Sequence, residues 1–111
     1  MILTGKCKED FEKWLNSSEK YIRINPILNV EIDLNNIYIF GLLTTSMQYG
    51  VLVDFFDSVG VYIQIETRLF DNEHPVYIYY KRNYTRVGRY KKRPEARTLA
   101  IEQANEIYNK I

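Results

Sequence analysis

Cysteine and histidine are scarce in this 111-residue chain, which contains one of each. The single cysteine, Cys7, excludes an internal disulfide framework, and it cannot form a metal cluster with one histidine. Apolar stretches are also short, since none approaches the ~20 residues that a membrane-spanning helix needs. These absences argue against a disulfide-stapled secreted protein, a Cys/His metal site and a membrane-spanning helix.

Glycine and proline are infrequent as well, with 5 and 3 residues, and the basic and acidic side chains nearly cancel to a net charge of +1. The apolar fraction of 46% and the charged fraction of 26% are typical of a globular protein and argue against disorder. At this length we expect one domain over residues 1–111. The chain becomes polar directly after Leu3, so no secretory signal is expected and the predicted location is cytoplasmic.

Two helices are predicted, one towards each end of the chain. Cys7, Phe11 and Leu15 recur at the spacing of an amphipathic helix, and Thr4 is placed to cap its N-terminus. Pro94 suits the first position of the second helix. The small side chains that let this second helix lie close against a sheet are Ala96, Ala100 and Ala104.

Three β-strands are predicted between the two helices. Val51–Phe56 and Val61–Ile65 alternate as strands do, and Asp57–Gly60 between them suits a type I turn, so we expect a hairpin. A third strand is predicted at Val76–Lys81, after a polar loop that carries His74. With the helices, these strands predict an α+β fold: an antiparallel sheet of three or more strands, flanked by an N-terminal and a C-terminal helix in the order α-β-β-β-α.

The segment over residues 21–47 is harder to interpret. Val30–Leu34 alternates as a short strand does, and Ile37–Phe40 suits either another strand or an apolar turn. A short helical turn also fits Thr44–Gln48. This segment therefore allows more strands than the three predicted above.

The charged residues are distributed unevenly along the chain. Residues 1–70 carry 6 basic and 9 acidic side chains, which is −3, whereas residues 71–111 carry 9 basic and 5 acidic ones, which is +4. The excess of basic over acidic residues is concentrated between Lys81 and Arg97, where Glu95 is the one acidic residue. Near-neutrality argues against a general nucleic-acid binder, while this division favours one localised contact surface.

We predict that the basic excess forms a flexible loop over residues 81–93, beside a sheet face with outward-facing tyrosines. Such a surface suits nucleic acid, because cations neutralise phosphates and aromatic rings stack on bases, and it equally suits an acidic protein surface. The alternative is a solvated loop that only maintains solubility. The predicted contact residues are Lys81, Arg82, Tyr84, Arg86, Arg89, Tyr90, Lys91, Lys92 and Arg93 in the basic segment, and Tyr62, Tyr77 and Tyr79 on the sheet.

Catalytic residues, metal ligands and cofactors are not predicted, and the protein is not expected to be an enzyme. Asp54 followed by Glu66-Thr67-Arg68 approximates the carboxylate and Glu-x-Lys arrangement of a metal-dependent nuclease. Arginine stands where lysine is needed, however, and a guanidinium is a poor proton carrier. His74 is expected to face water, and Cys7 is expected to pack as a small apolar residue.

The element order, with Lys91-Lys92-Arg93 before the alanine-bearing last helix, resembles the double-stranded RNA-binding domain. In that family a lysine-rich stretch opens the final helix and grips phosphates, so the resemblance implies direct RNA binding. Two features depart from it: the segment before the hairpin is too long, and the basic residues precede a proline instead of lying within the helix.

Three blocks of the chain, Leu3–Trp14, Ser46–Gly60 and Arg93–Asn109, also resemble a family of small proteins encoded by phages and prophages of Bacteroidetes. Small phage proteins are often inhibitors of host defence, anti-CRISPR proteins among them. The resemblance thus implies a non-enzymatic protein that binds a host protein or ribonucleoprotein complex, such as an RNA-guided nuclease, in the bacterial cytoplasm. The alternative function is a direct RNA- or DNA-binding module.

Overall fold

The structure, a computed structural model, describes residues 2–17 and 36–111. Its helices are α1 (Gly5–Ser17), α2 (Asn36–Leu42), α3 (Thr45–Ser58) and α4 (Arg93–Asn109), and its strands are β1 (Val61–Ile65), β2 (His74–Tyr80) and β3 (Asn83–Tyr90). The order α-β-β-β-α and the α+β class are confirmed, with α2 and α3 placed before the sheet. The strand predicted at Val30–Leu34 lies outside the described residues.

The three strands form one antiparallel sheet in the order β1-β2-β3. Tyr62 of β1 lies opposite Tyr79 of β2, and Tyr79 lies opposite Tyr84 of β3. Because side chains alternate between the two sides of a strand, residues that pair in this way share one side of the sheet. Helices α3 and α4 pack on the other side, against fully buried Val61 and Val76.

The core lies between this side of the sheet and the helices α1, α3 and α4. Aromatic rings fill its centre. The rings of Phe11 and Trp14 both lie edge-on to the ring of Phe55, with centroid distances of 5.4 Å and 5.6 Å. Cys7 is fully buried among these side chains, which confirms its predicted packing role. Burial, with the nearby charge of Asp10, raises the pKa of the Cys7 thiol to about 12, so the thiol stays protonated and unreactive.

The hairpin predicted over residues 51–65 is wrong, because its first half is the end of helix α3. Buried Val51, Leu52, Phe55 and Phe56 recur with helical rather than alternating spacing. The α3 helix begins where the Thr44 hydroxyl accepts a hydrogen bond from the Met47 N–H at 3.3 Å. It ends before Gly60, whose φ of 80° is the left-handed conformation that commonly follows a helix.

Two further expectations are corrected. Ile37–Phe40 forms neither a strand nor a turn but part of helix α2, and the Gln48 side-chain amide of α3 donates to the Phe40 carbonyl at 3.1 Å. Residues 81–93 are not a loop, because β3 occupies most of that segment.

Among the described residues, no helix has the length and apolar character needed to cross a membrane.

A polar network joins the N-terminus of α1 to the C-terminal half of α4. The Asn105 side chain, 7% exposed, accepts a hydrogen bond from the Thr4 N–H and donates to the Thr4 hydroxyl, both at 3.0 Å. The Asn109 carbonyl oxygen accepts from the Cys7 N–H at 2.8 Å. Thr4 therefore lies at the predicted cap position. The oxygen that accepts from the Cys7 N–H in the first turn of α1, however, belongs to Asn109 of α4 and not to Thr4.

We expect Asn105→Ala to lower the free energy of unfolding by about 2 kcal/mol, because the Thr4 N–H loses its acceptor and the Thr4 hydroxyl keeps only the longer hydrogen bond from Asn109 at 3.4 Å. Urea denaturation followed by circular dichroism measures this change. The exposed Asn16 of α1 is the matched control, and its replacement by alanine should change stability by less than about 0.5 kcal/mol. Equal effects of the two substitutions would contradict the network.

Glycine substitutions test the helical assignment of residues 45–58. A Cβ at Gly50 meets no atom within 4 Å, so Gly50→Ala should stabilise α3 by roughly 0.5–1 kcal/mol. Gly60→Ala should instead destabilise the protein by about 1 kcal/mol, because alanine disfavours the φ of 80°. Thermal melting of both variants should show a higher melting temperature for Gly50→Ala and a lower one for Gly60→Ala. Destabilisation by Gly50→Ala would argue against a helix at that position.

Candidate binding face of the sheet

The side of the sheet that faces away from α3 and α4 carries half of the predicted contact residues, six of the twelve. No element within residues 2–17 and 36–111 packs on it, and we call it the open face. Its side chains lie in three rows that cross the strands, because paired residues share a side. The rows are Tyr62–Tyr79–Tyr84, Gln64–Tyr77–Arg86 and Glu66–Pro75–Arg89. The first two rows are accessible, whereas Pro75 at the centre of the third is fully buried.

Tyrosine rings dominate the open face. Tyr62, Tyr79 and Tyr84 are 54%, 38% and 65% exposed, and Tyr77 is half-buried. The ring centroids of Tyr79 and Tyr84 are 5.9 Å apart with an interplanar angle of 33°, and those of Tyr77 and Tyr84 are 6.4 Å apart at 58°. These spacings are within the range of aromatic pairs, so Tyr77, Tyr79 and Tyr84 form one contiguous and solvent-accessible cluster.

A β-bulge places two arginines of β3 on the open face. Arg86 lies opposite Tyr77 and Arg89 lies opposite Pro75, so two residue steps on β2 face three steps on β3. In a regular strand, side chains three positions apart point to opposite sides, whereas an inserted residue returns both to one side. The register shift at Val76/Tyr77 therefore brings Arg89 to the same side as Arg86, while Val87 packs towards the core.

Charge is unevenly distributed across the open face. Glu66 follows β1 at one edge, while Arg86 and Arg89 lie on β3 at the other edge. Glu73 Oε2 lies 3.7 Å from Arg89 Nη1, a distance too long for a good hydrogen bond. This ion pair is partly exposed and contributes little to stability, but Glu73 Oε2 is itself buried and has no hydrogen-bond partner among the described residues. An anion that binds Arg89 therefore competes with the Glu73 carboxylate. The β3 edge is therefore the positive edge.

The remaining predicted basic residues are divided between the two ends of β3 instead of forming one loop. Lys81 and Arg82 form the two-residue connection between β2 and β3, and the Lys81 ammonium lies 5.3 Å from the centroid of the Tyr80 ring. Lys91 and Lys92 are exposed beyond the other end, roughly 25 Å away along the strand. The structure thus separates residues that the sequence pattern grouped together.

Two predicted contact residues occupy other positions. Arg93 opens α4, and its guanidinium donates to the Thr67 hydroxyl at 3.2 Å, which ties α4 to the connection after β1. Tyr90 packs on the covered side with Ala96. Its ring lies over Gly88, where an added Cβ would come within 2.6 Å of the Tyr90 hydroxyl. Tyr90 therefore belongs to the packing between the sheet and α4, not to the open face.

The arrangement considered for a nuclease is not assembled in the structure. Asp54 is exposed on α3, a helix that packs on the covered side of the sheet, whereas Glu66 follows β1 on the open side. Within the described parts of the chain, no three His, Cys, Asp or Glu side chains are grouped so as to hold a metal ion. His74 is half-buried, and its Nδ1 lies 3.4 Å from the Thr67 hydroxyl.

The connection between β1 and β2 exposes two apolar side chains that the sequence interpretation did not single out. Leu69 is 87% exposed and Phe70 is fully exposed at the end of the sheet. The sequence contains a feature that could have identified this pair, because two large apolar residues lie between Arg68 and Asp71 in an otherwise polar segment. Arg68 and Asp71 approach to 3.8 Å across this tip, which places the apolar pair on the outside of a turn.

No family model, no curated protein and no solved structure matches this chain. The side chains of the open face are therefore the features of this protein that bear on its function.

The β2–β3 connection offers a test of backbone strain beside the open face. Lys81 has a φ of 55°, so Lys81→Gly should raise the free energy of unfolding by about 0.5 kcal/mol. This value allows for the conformational freedom that glycine adds to the unfolded chain and for the lost contact with Tyr80. Arg82→Gly, at a residue without positive φ, should lower it by up to about 1 kcal/mol. Urea titration measures the free energy of unfolding of both variants, which should rise for Lys81→Gly and fall for Arg82→Gly. A loss of stability in both variants would argue against the strained turn.

Proposed function

We propose that this protein is a non-enzymatic binding protein whose contact surface is the open face of the sheet. One observation carries the proposal: Tyr77, Tyr79 and Tyr84 form a contiguous, accessible ring cluster beside Arg86, on a side that no described element covers. Tyrosine and arginine are enriched among the residues that contribute most to binding energy. A cluster of both on one accessible surface fits an interaction surface better than a surface that serves only solubility.

The resemblance to phage-encoded proteins supports a specific biological role for this surface. We propose that the partner is a host protein or ribonucleoprotein complex of bacterial defence, such as an RNA-guided nuclease, and that binding blocks its action. Effectors of that kind hold their nucleic acid in a positively charged channel. The positive β3 edge would be repelled by such a channel, so the open face would contact exposed nucleic acid or an acidic protein surface instead.

Affinity capture from the lysate of a Bacteroidetes host tests the open face as the contact surface. The double variant Tyr84→Ala/Arg86→Glu should lose the captured macromolecule, because it removes the central ring and reverses the adjacent charge. Tyr84→Phe keeps the ring and should retain capture. Protein and nucleic acid in the eluates are measured by mass spectrometry and by sequencing.

Lys13→Glu is the matched charge control, because Lys13 is exposed on α1, on the covered side of the sheet. It should capture the same macromolecule as the unmodified protein. All variants must melt as the unmodified protein does, so that loss of capture reports the surface and not the fold. Undiminished capture by a folded Tyr84→Ala/Arg86→Glu variant would show that the contact surface lies elsewhere.

A further inference from the structure

We infer that the ligand of the open face is single-stranded nucleic acid, whose bases stack on Tyr79 and Tyr84 while its phosphates contact Arg86 and Arg89. The inference rests on the proposed function and names the partner class of the same surface. It depends on three observations: the geometry of the rings, the positions of the arginines relative to them, and the accessibility of both to a flat ligand.

The ring cluster provides a platform for stacking. Tyr79 and Tyr84 are inclined by 33° to each other and remain accessible, so neither ring is covered by the other. Bases present flat π-faces that stack on aromatic side chains with little dependence on sequence. Tyr62 extends the same row across β1, so stacking positions are available from one edge of the sheet to the other.

The positive charges lie where a backbone passing over these rings needs them. On the open side of β3 the order of side chains is Tyr84, Arg86 and Arg89, with Arg82 in the preceding turn. The bulge is essential to this order, because a regular strand would turn Arg89 to the covered side. The track from Arg82 to Arg89 is roughly 20 Å long, enough for several nucleotides.

A single strand fits these features better than a duplex or an acidic protein. In a duplex the base faces are covered by their neighbours, so the rings would have nothing to stack on. An acidic protein surface can also use tyrosines and arginines together, but it does not need flat ring faces that are open to stacking. Unpaired nucleic acid uses both the accessible ring faces and the arginines, which is why we favour it.

Fluorescence anisotropy with labelled 12-nucleotide oligomers of deoxythymidine and of uridine tests the inference on the full chain. Both should bind at low salt, and the ratio of their affinities shows whether the protein distinguishes deoxyribose from ribose. A 12-base-pair duplex should bind at least about 10-fold more weakly. Inorganic polyphosphate, which carries the charge without bases, should also compete at least about 10-fold more weakly than the oligomers.

Side-chain variants separate stacking from charge. Tyr84→Ala should weaken oligomer binding about 10-fold or more, and Tyr84→Phe should restore it. Arg86→Gln should weaken binding and make the slope of log K against log salt shallower by roughly 0.7, as expected for one lost phosphate contact on a single strand. Lys13→Gln, the matched control on α1, should leave both the affinity and the slope unchanged.

Several outcomes would overturn the inference. These are no oligomer binding at low salt, equal binding of polyphosphate, tighter binding of the duplex, or equal affinities of Tyr84→Ala and the unmodified protein. The failure of the inference is distinguishable from that of the proposed function. If oligomers do not bind but capture from a nuclease-treated lysate still depends on Tyr84 and Arg86, the open face is a contact surface for a protein.

Discussion

Burial of a single side of a three-stranded sheet is the constraint on which the rest of this structure depends. Val61, Val76 and Ile78 are fully buried under the helices, and Ala96 and Ala100 keep α4 close to the sheet. Because strand side chains alternate, burying these residues turns their neighbours to the opposite side. The accessible tyrosines are therefore a direct consequence of the same packing that stabilises the fold.

The ends of the described chain are held by a second, polar constraint. Asn105 and Asn109 of α4 complete hydrogen bonds that the first turn of α1 cannot make for itself. The Tyr108 hydroxyl adds a hydrogen bond to Asp10, and burial together with this bond raises the pKa of Tyr108 to about 12. These contacts lie among the helices, so the open face can present its side chains to a ligand without a role in closing the fold.

Some of these features could be predicted from local sequence, and others could not. The alternation of Val76 to Tyr80 and the proline at the start of α4 identified β2 and the last helix, because both patterns arise from backbone geometry alone. The run Val51–Phe56 predicts a strand because apolar residues recur at every second position, but all its residues except Asp54 are apolar, so the buried face of a helix fits it equally. The basic segment predicts a loop because its charges hide the alternation of Tyr84, Arg86 and their neighbours, and a bulge then interrupts that alternation.

The sequence by itself determined the α+β class, the two terminal helices, and the concentration of tyrosine and positive charge after Tyr77. Only the tertiary structure decided which of those residues share a surface. Cross-strand pairing brings Tyr79 beside Tyr84, and the bulge brings Arg89 to the side of Arg86, while Tyr90 is turned to the core and Lys91 and Lys92 are left at a distant end. Composition records how many rings and charges a chain has, but register determines which of them one ligand can touch.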